Sequence, residues 1–189
     1  PGQALEDVGV ADFLDGGPGF DRLMINERDA TDDLHVDVAS GIIPGGATAV
    51  GFEQLVVLTG SGNDTVHGLD GDSGLGNLAG VTLTGDYFLL GDGDDVAYGG
   101  AGGDRLDGEA GNDRLYGQDG NDHFYGGDGD DQLWGGAGAD VFNYIGNETG
   151  YDRIEDFEDG SDRIRFLGGP LTNADEVLAA SREGDGGVA

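Results

Sequence analysis

An aspartate recurs at every ninth residue through the middle of the chain: Asp95, Asp104, Asp113, Asp122, Asp131 and Asp140. Two residues before each stands a glycine (Gly93, Gly102, Gly111, Gly120, Gly129, Gly138), and two after each an apolar side chain (Ala97, Leu106, Leu115, Phe124, Leu133, Phe142). In blocks of nine, Leu90 to Asn143 reads LGDGDDVAY, GGAGGDRLD, GEAGNDRLY, GQDGNDHFY, GGDGDDQLW and GGAGADVFN. Glycine at the first, usually the second, and the fourth positions permits a tight turn whose backbone angles other side chains forbid. Such a turn aims carbonyl oxygens inward, and the sixth-position aspartate adds a carboxylate at its exit. Oxygen donors without His or Cys suit Ca2+, whereas Zn2+ favours nitrogen or sulfur.

The elements that hold these turns follow from the same spacing. The last three residues of a block form a strand whose middle side chain faces inward. Two blocks make one eighteen-residue turn of a solenoid, so loops two blocks apart stack, with room for an ion between them. One inward apolar side chain per nine residues does not offset the entropy of ordering the chain. The ions make up the difference. At free Ca2+ about tenfold above the roughly 10⁻⁴–10⁻³ M dissociation constants of extracellular modules, each site contributes roughly 1.4 kcal/mol. Four sites would give on the order of 5–6 kcal/mol, the scale of a small domain's stability.

Composition points the same way. The 189 residues include 41 glycines, and 39 acidic residues against eight basic ones, all Arg, leave a net charge of −31. A chain so charged repels itself and tends towards disorder until cations neutralise it. It suits neither nucleic acid nor an anionic membrane surface. There is no cysteine, hence no disulfide framework or thiol chemistry, and no signal peptide or apolar run of membrane-spanning length is evident. The chain opens at Pro1 without Met and reads as a piece of a longer protein.

Three regions are expected. Residues 1–89 form an irregular β-rich flank with degenerate repeats: GGPGFDRLM with Asp21 sixth, TGSGNDTVH with Asp64 sixth, and GLDGDSGLG, where Ser73 replaces the aspartate and weakens or removes a site. Strands are expected at 34–38 and 52–58, and a turn region at 40–46. Residues 77–89 break the register, with strands on either side of a Gly85-Asp86 turn. Residues 90–143 are the regular roll. Residues 144–189 form a small cap, a β-hairpin around Asp159-Gly160 followed by a helix over 173–182 capped by Thr172.

The blocks resemble the GGxGxDxUx nonapeptide of the RTX (repeats-in-toxin) calcium-binding family, and DRIEDFEDGSDRIRF (152–166) is similar to the flank that follows many such arrays. The resemblance implies an all-β parallel β-roll (β-solenoid) with several Ca2+ ions between stacked loops, held by the sixth-position aspartates, Asp64 and Asp21 among them, and by the fourth-position glycine backbone. It also implies a secreted or cell-surface protein of a Gram-negative bacterium, exported by a type I secretion apparatus. Asp152, Asp156 and Asp162 match acidic positions of the family's flank, and Asp156 is a candidate ligand of a last ion.

Two other functions stay open: the C-terminal secretion and substrate-contact module of a secreted protease, lipase or alginate-epimerase-like enzyme, and a ligand-binding adhesin domain. Tyr98, Tyr116 and Trp134, eighteen apart, line one outer face. They read either as a strip for a glycan or surface partner or as cross-strand stacking that stiffens the sheet. The histidines His35, His67 and His123 are dispersed, and neither HExxH nor GxSxG occurs, so no catalytic site is evident in the chain. The regular Thr or Asn row of an ice-binding roll is absent.

Overall fold

The alternation expected of each block is realised as two parallel sheets facing one another across a narrow core. The computed structural model describes residues 3–5, 13–15, 17–18, 21–38, 40, 43, 48–50, 52, 54–69, 85–146, 148–167 and 177–179. The larger sheet orders its strands as β1 (Gln3–Leu5), β3 (Arg22–Asn26), β6 (Gln54–Leu58), β8 (Tyr87–Asp92), β10 (Arg105–Ala110), β12 (His123–Tyr125), β14 (Val141–Ile145) and β16 (Arg163–Leu167). The smaller sheet runs β4 (His35–Asp37), β7 (Thr65–His67), β9 (Val96–Ala101), β11 (Arg114–Asp119), β13 (Gln132–Ala137), β15 (Asp152–Ile154) and β17 (Val177–Ala179). A separate pair joins β2 (Phe13–Asp15) to β5 (Thr48–Val50). The chain alternates between the two main sheets, and every pairing within them is parallel: a parallel β-roll.

In the array the pairing offset is eighteen residues, Leu106 on Phe88 and Leu115 on Leu133. The eighth-position side chains Ala97, Leu106, Leu115, Phe124, Leu133 and Phe142 are buried, as strand alternation requires. Most strands run longer than the expected three residues, because the first three residues of the following block continue the ladder. The N-terminal coils bury more: β3 contributes Leu23 and Ile25, β6 contributes Leu55 and Val57, and Val38, Ile43, Phe52 and Leu69 add to the same core.

The cap departs from expectation. Asp152–Ile154 and Arg163–Leu167 do not pair as a hairpin; they enter different sheets, parallel to β13 and β14. The Asp159-Gly160 turn is another roll loop, crossing from the smaller sheet to the larger with Phe157 packed on the core. No helix occurs among the described residues, and Val177–Ala179, inside the expected helix, is a strand paired with β15. The unpaired backbone of β15 offers hydrogen bonds along a whole strand, and these outweigh a weak local helix preference. Ser73, the expected strand at 81–83 and the remainder of the expected helix lie outside the described residues.

Candidate metal centre

Loops at one edge of the roll carry the chain from the larger sheet to the smaller, and loops at the other edge carry it back. On the first edge, the Oδ1 atoms of Asp95, Asp113, Asp131 and Asp152 accept the backbone N–H of Asp64, Asp95, Asp113 and Asp131 at 2.7, 2.9, 2.9 and 3.2 Å. On the second, the Oδ1 atoms of Asp104, Asp122, Asp140 and Asp162 accept the N–H of Asp86, Asp104, Asp122 and Asp140 at 2.6, 2.7, 2.9 and 3.0 Å. Each ladder is carried into the N-terminal flank by a leucine: Leu34 N–H donates to Asp64 and Leu55 N–H to Asp86. The sixth-position aspartate is therefore first a structural clamp, one hydrogen bond per coil.

Its second oxygen is unused. The Oδ2 atoms of Asp64, Asp95, Asp104, Asp113, Asp122, Asp131 and Asp140 are buried with no hydrogen-bond partner. An unsatisfied buried carboxylate oxygen is costly. Burial accordingly pushes the carboxyls of Asp95 and Asp122 up to about 7, Asp104 to about 6 and Asp113 to about 8. Asp64, Asp131 and Asp140 are raised for the same reason.

The glycines of the repeat have different tasks. Fourth-position glycines take φ between 130° and 154°, in the region closed to other residues. Second positions also have φ > 0, and two of them are not glycine: Glu109 (φ 70°) and Gln118 (φ 77°) hold the left-handed conformation that Gly91, Gly100, Gly127 and Gly136 adopt in the other blocks. First-position glycines, expected to serve the turn through their backbone angles, serve it through space. A Cβ on Gly99, Gly108 or Gly117 would lie closer than 3.0 Å both to the Oδ2 of Asp104, Asp113 or Asp122 and to the carbonyl oxygen of the glycine one coil on (Gly117, Gly126, Gly135). Carboxylate and carbonyl oxygens thus converge on a pocket that exists because a side chain is missing.

Such a site fits a hard cation. Among the described residues no three His, Cys, Asp or Glu side chains gather at one point, as expected where each loop gives one carboxylate and the rest of the donors are backbone carbonyls.

Of the other sequence candidates, Asp21 is buried where β3 begins, with β6 between it and the strand that follows Asp86. Asp156 turns both oxygens on backbone amides, Oδ1 accepting from Gly135 at 2.8 Å and Oδ2 from Gly136 at 3.0 Å. The sequence places Asp86 in a turn; the structure makes it a rung of the second ladder. Its own Oδ2 is satisfied by Leu69 N–H at 2.8 Å, and burial raises its carboxyl to about 8. The signal was present, since Asp86 lies nine residues before Asp95, but Thr84 replaces the fourth-position glycine.

Tyr98, Tyr116 and Trp134 stack face to face, with centroids 4.8 and 4.3 Å apart and planes within 13°. The row continues to His67 at 4.6 Å and His35 at 5.7 Å. Within the row, the faces of His67, Tyr98 and Tyr116 are spent on their neighbours. On the opposite outer face Arg105 lies over the Tyr125 ring at 4.0 Å.

Fold and site together define a parallel β-roll with oxygen-donor cation sites between its coils. Compared with protein-family models, the chain carries the RTX calcium-binding nonapeptide repeat in four copies, matched over residues 56–73, 89–124 and 107–142. The regular array is thus an RTX calcium-binding array, and the match at 56–73 takes in the block of Asp64. No curated protein matches the chain.

Proposed function

We propose that this chain is a non-catalytic Ca2+-binding module of a secreted or cell-surface bacterial protein, folding on export as Ca2+ fills the sites between stacked loops. The observation that carries this is the row of buried Oδ2 atoms without partners, those of Asp104, Asp113, Asp122, Asp131 and Asp140 each beside a first-position glycine pocket. Calcium bound there would supply positive charge to oxygens that otherwise face only one another's charge. Asp104, Asp113, Asp122 and their equivalents hold the coils in register through Oδ1 and offer Oδ2, together with the carbonyls of Gly117, Gly126 and Gly135, to the ion. Where free Ca2+ is scarce, the buried carboxylates must ionise unpaired or stay protonated, and the net charge of −31 favours the expanded chain. That balance supports passage as an unfolded chain and folding outside, and the resemblance to RTX repeats implies a type I apparatus as the route.

Titrating Ca2+ into the chain in chelator-treated buffer, followed by far-ultraviolet circular dichroism, tests this. A cooperative rise of β signal is expected; a full β spectrum in excess chelator would overturn it.

A further inference from the structure

Where the N-terminal flank meets the array, the first edge of the roll carries a groove of about 300 Å³. Register explains its shape. Glu109 pairs with Gly91, and Ser61 bridges Asp92, which sets Gly60 beside Gly91. Beyond Gly60 lies the turn 27–30, closed by Ala30 N–H to the Glu27 carbonyl at 2.9 Å. The Arg28 carbonyl oxygen stands 2.8 Å from where a Gly60 Cβ would be. One column thus reads Arg28, Gly60, Gly91, Glu109, about 14 Å long at the usual strand spacing. A Cβ on either glycine would run into a carbonyl oxygen of the neighbouring coil, that of Ala30 for Gly60 and that of Gly60 for Gly91. The middle of the column therefore stays bare backbone, and only its ends carry side chains.

Those ends are opposite in charge, and both are exposed. Arg28 and Glu109 line the groove, yet neither enters an ion pair; those among the described residues are Arg105–Asp107 and Arg153–Glu155. Glu109 also holds its place at a cost. Its φ is 70°, in a column where other blocks set Gly91, Gly100, Gly127 and Gly136. A side chain kept on strained backbone at the rim of a cavity points to a function.

Hydrogen-bonding capacity and charge select the occupant. The Arg28 guanidinium only donates, the Glu109 and Asp92 carboxylates only accept, and the hydroxyls of Thr31 and Ser61 do both. Among the described lining residues Ala30 is the one apolar side chain. Adjacent hydroxyls of a sugar give and take hydrogen bonds at every position and carry no net charge. An anion would be repelled by the chain's net charge of −31, and a cation would meet Arg28. The volume lies at the low end of the roughly 300–1,000 Å³ of small-molecule sites, which suits one or two rings. We propose that this groove binds a neutral mono- or disaccharide, with Arg28 gripping one end and Glu109 the other. The site stands apart from the stacked row of Tyr98, Tyr116 and Trp134, and it goes beyond the calcium reading, since it needs only the folded roll.

The test follows backbone amide NMR shifts of the isotope-labelled full chain in Ca2+ as sugars are added to millimolar levels. The neutral probes are glucose, galactose, mannose, N-acetylglucosamine, maltose and lactose; galacturonate and glucosamine are the charged controls. Saturable shifts at Gly60, Ser61, Gly91 and Asp92 with at least one neutral sugar are expected. Arg28→Ala and Glu109→Gly should each weaken that binding roughly tenfold or more while keeping the β spectrum; if one variant fails to fold, the other is read alone by the same criterion. No shifts at these amides with any neutral sugar, binding of a charged sugar only, or binding unchanged in the variants would overturn the proposal. A chain that binds sugar and is equally folded in chelator would retain the groove and overturn only the calcium reading, so the two failures are distinct.

Discussion

The regular array and the N-terminal flank build the same roll by different means. In the array, rungs are eighteen residues apart, each strand buries one eighth-position side chain, and every loop hides a carboxylate oxygen with no partner. In the flank, rungs are thirty or thirty-one residues apart, β3 buries two apolar side chains and β6 three, and leucines stand where aspartates would. Where apolar burial is generous, the ladder can begin on Leu34 and Leu55. Where it is sparse, a buried charge is retained and an ion must balance it. At roughly 1.5–3 kcal/mol for each fully buried large apolar side chain, the extra residues of the flank weigh about as much as an ion per coil.

Removing the metal gives the largest expected effect. In excess chelator at pH 7, amide-exchange protection at Asp95, Asp113 and Asp131 should collapse, while Leu23, Leu55 and Val57 keep a larger share of theirs. Equal loss in both regions would break the comparison. Next comes the pocket itself. Gly117→Val places a side chain against Asp122 Oδ2 and the Gly135 carbonyl, and should cost about 1–3 kcal/mol by overpacking besides losing an ion. A Ca2+ titration midpoint equal to wild type would show that the pocket holds nothing.

Asp113→Asn should reverse sign with the metal. In chelator it removes a buried carboxylate that lacks a partner and should stabilise the array by roughly 1–3 kcal/mol; in Ca2+ it should destabilise it by a similar amount. Denaturant midpoints in the two buffers measure this, and destabilisation in both would mean that Oδ2 is satisfied without metal.

The pH dependence follows from the same groups. Their folded pKa values lie above the ordinary 3.8, at about 6 to 8 for Asp104, Asp122 and Asp113. Metal-free stability from these carboxyls is therefore complete below about pH 4 and is lost as pH rises through 6 to 8. Acidifying the chelated protein from pH 8 to pH 5 should increase its β signal, whereas with limiting Ca2+ the same change should release ions, because protons compete for the same oxygens. A chelated protein that loses structure on acidification would contradict the raised values.

The smallest effect sharpens the account of the repeat. Glu109→Gly should relieve a left-handed residue and stabilise the calcium-loaded roll by up to about 1 kcal/mol; a thermal midpoint below wild type would give Glu109 a role that its backbone does not reveal.

Much of this was legible in the residues. Period nine with a two-residue alternation inside it dictates stacked short strands, and oxygen-only donors dictate a hard cation. The cap was misread because hairpin and helix are local signals, whereas the fate of Asp152–Ile154 and Val177–Ala179 depends on the open strand edge that the array presents. Asp86 was missed because its block lacks the fourth-position glycine, although its aspartate keeps the register.

The sequence by itself determined the repeat, the inward apolar column, the donor chemistry and the stacking of Tyr98, Tyr116 and Trp134, because each depends only on which residues recur at a fixed interval along a strand. Only the tertiary structure decided that one carboxylate oxygen clamps the neighbouring coil while the other is left over, and that first-position glycines make room rather than bend the chain. Those outcomes depend on atoms brought together from coils eighteen or more residues apart, and no local pattern records what the next coil will place opposite a given oxygen.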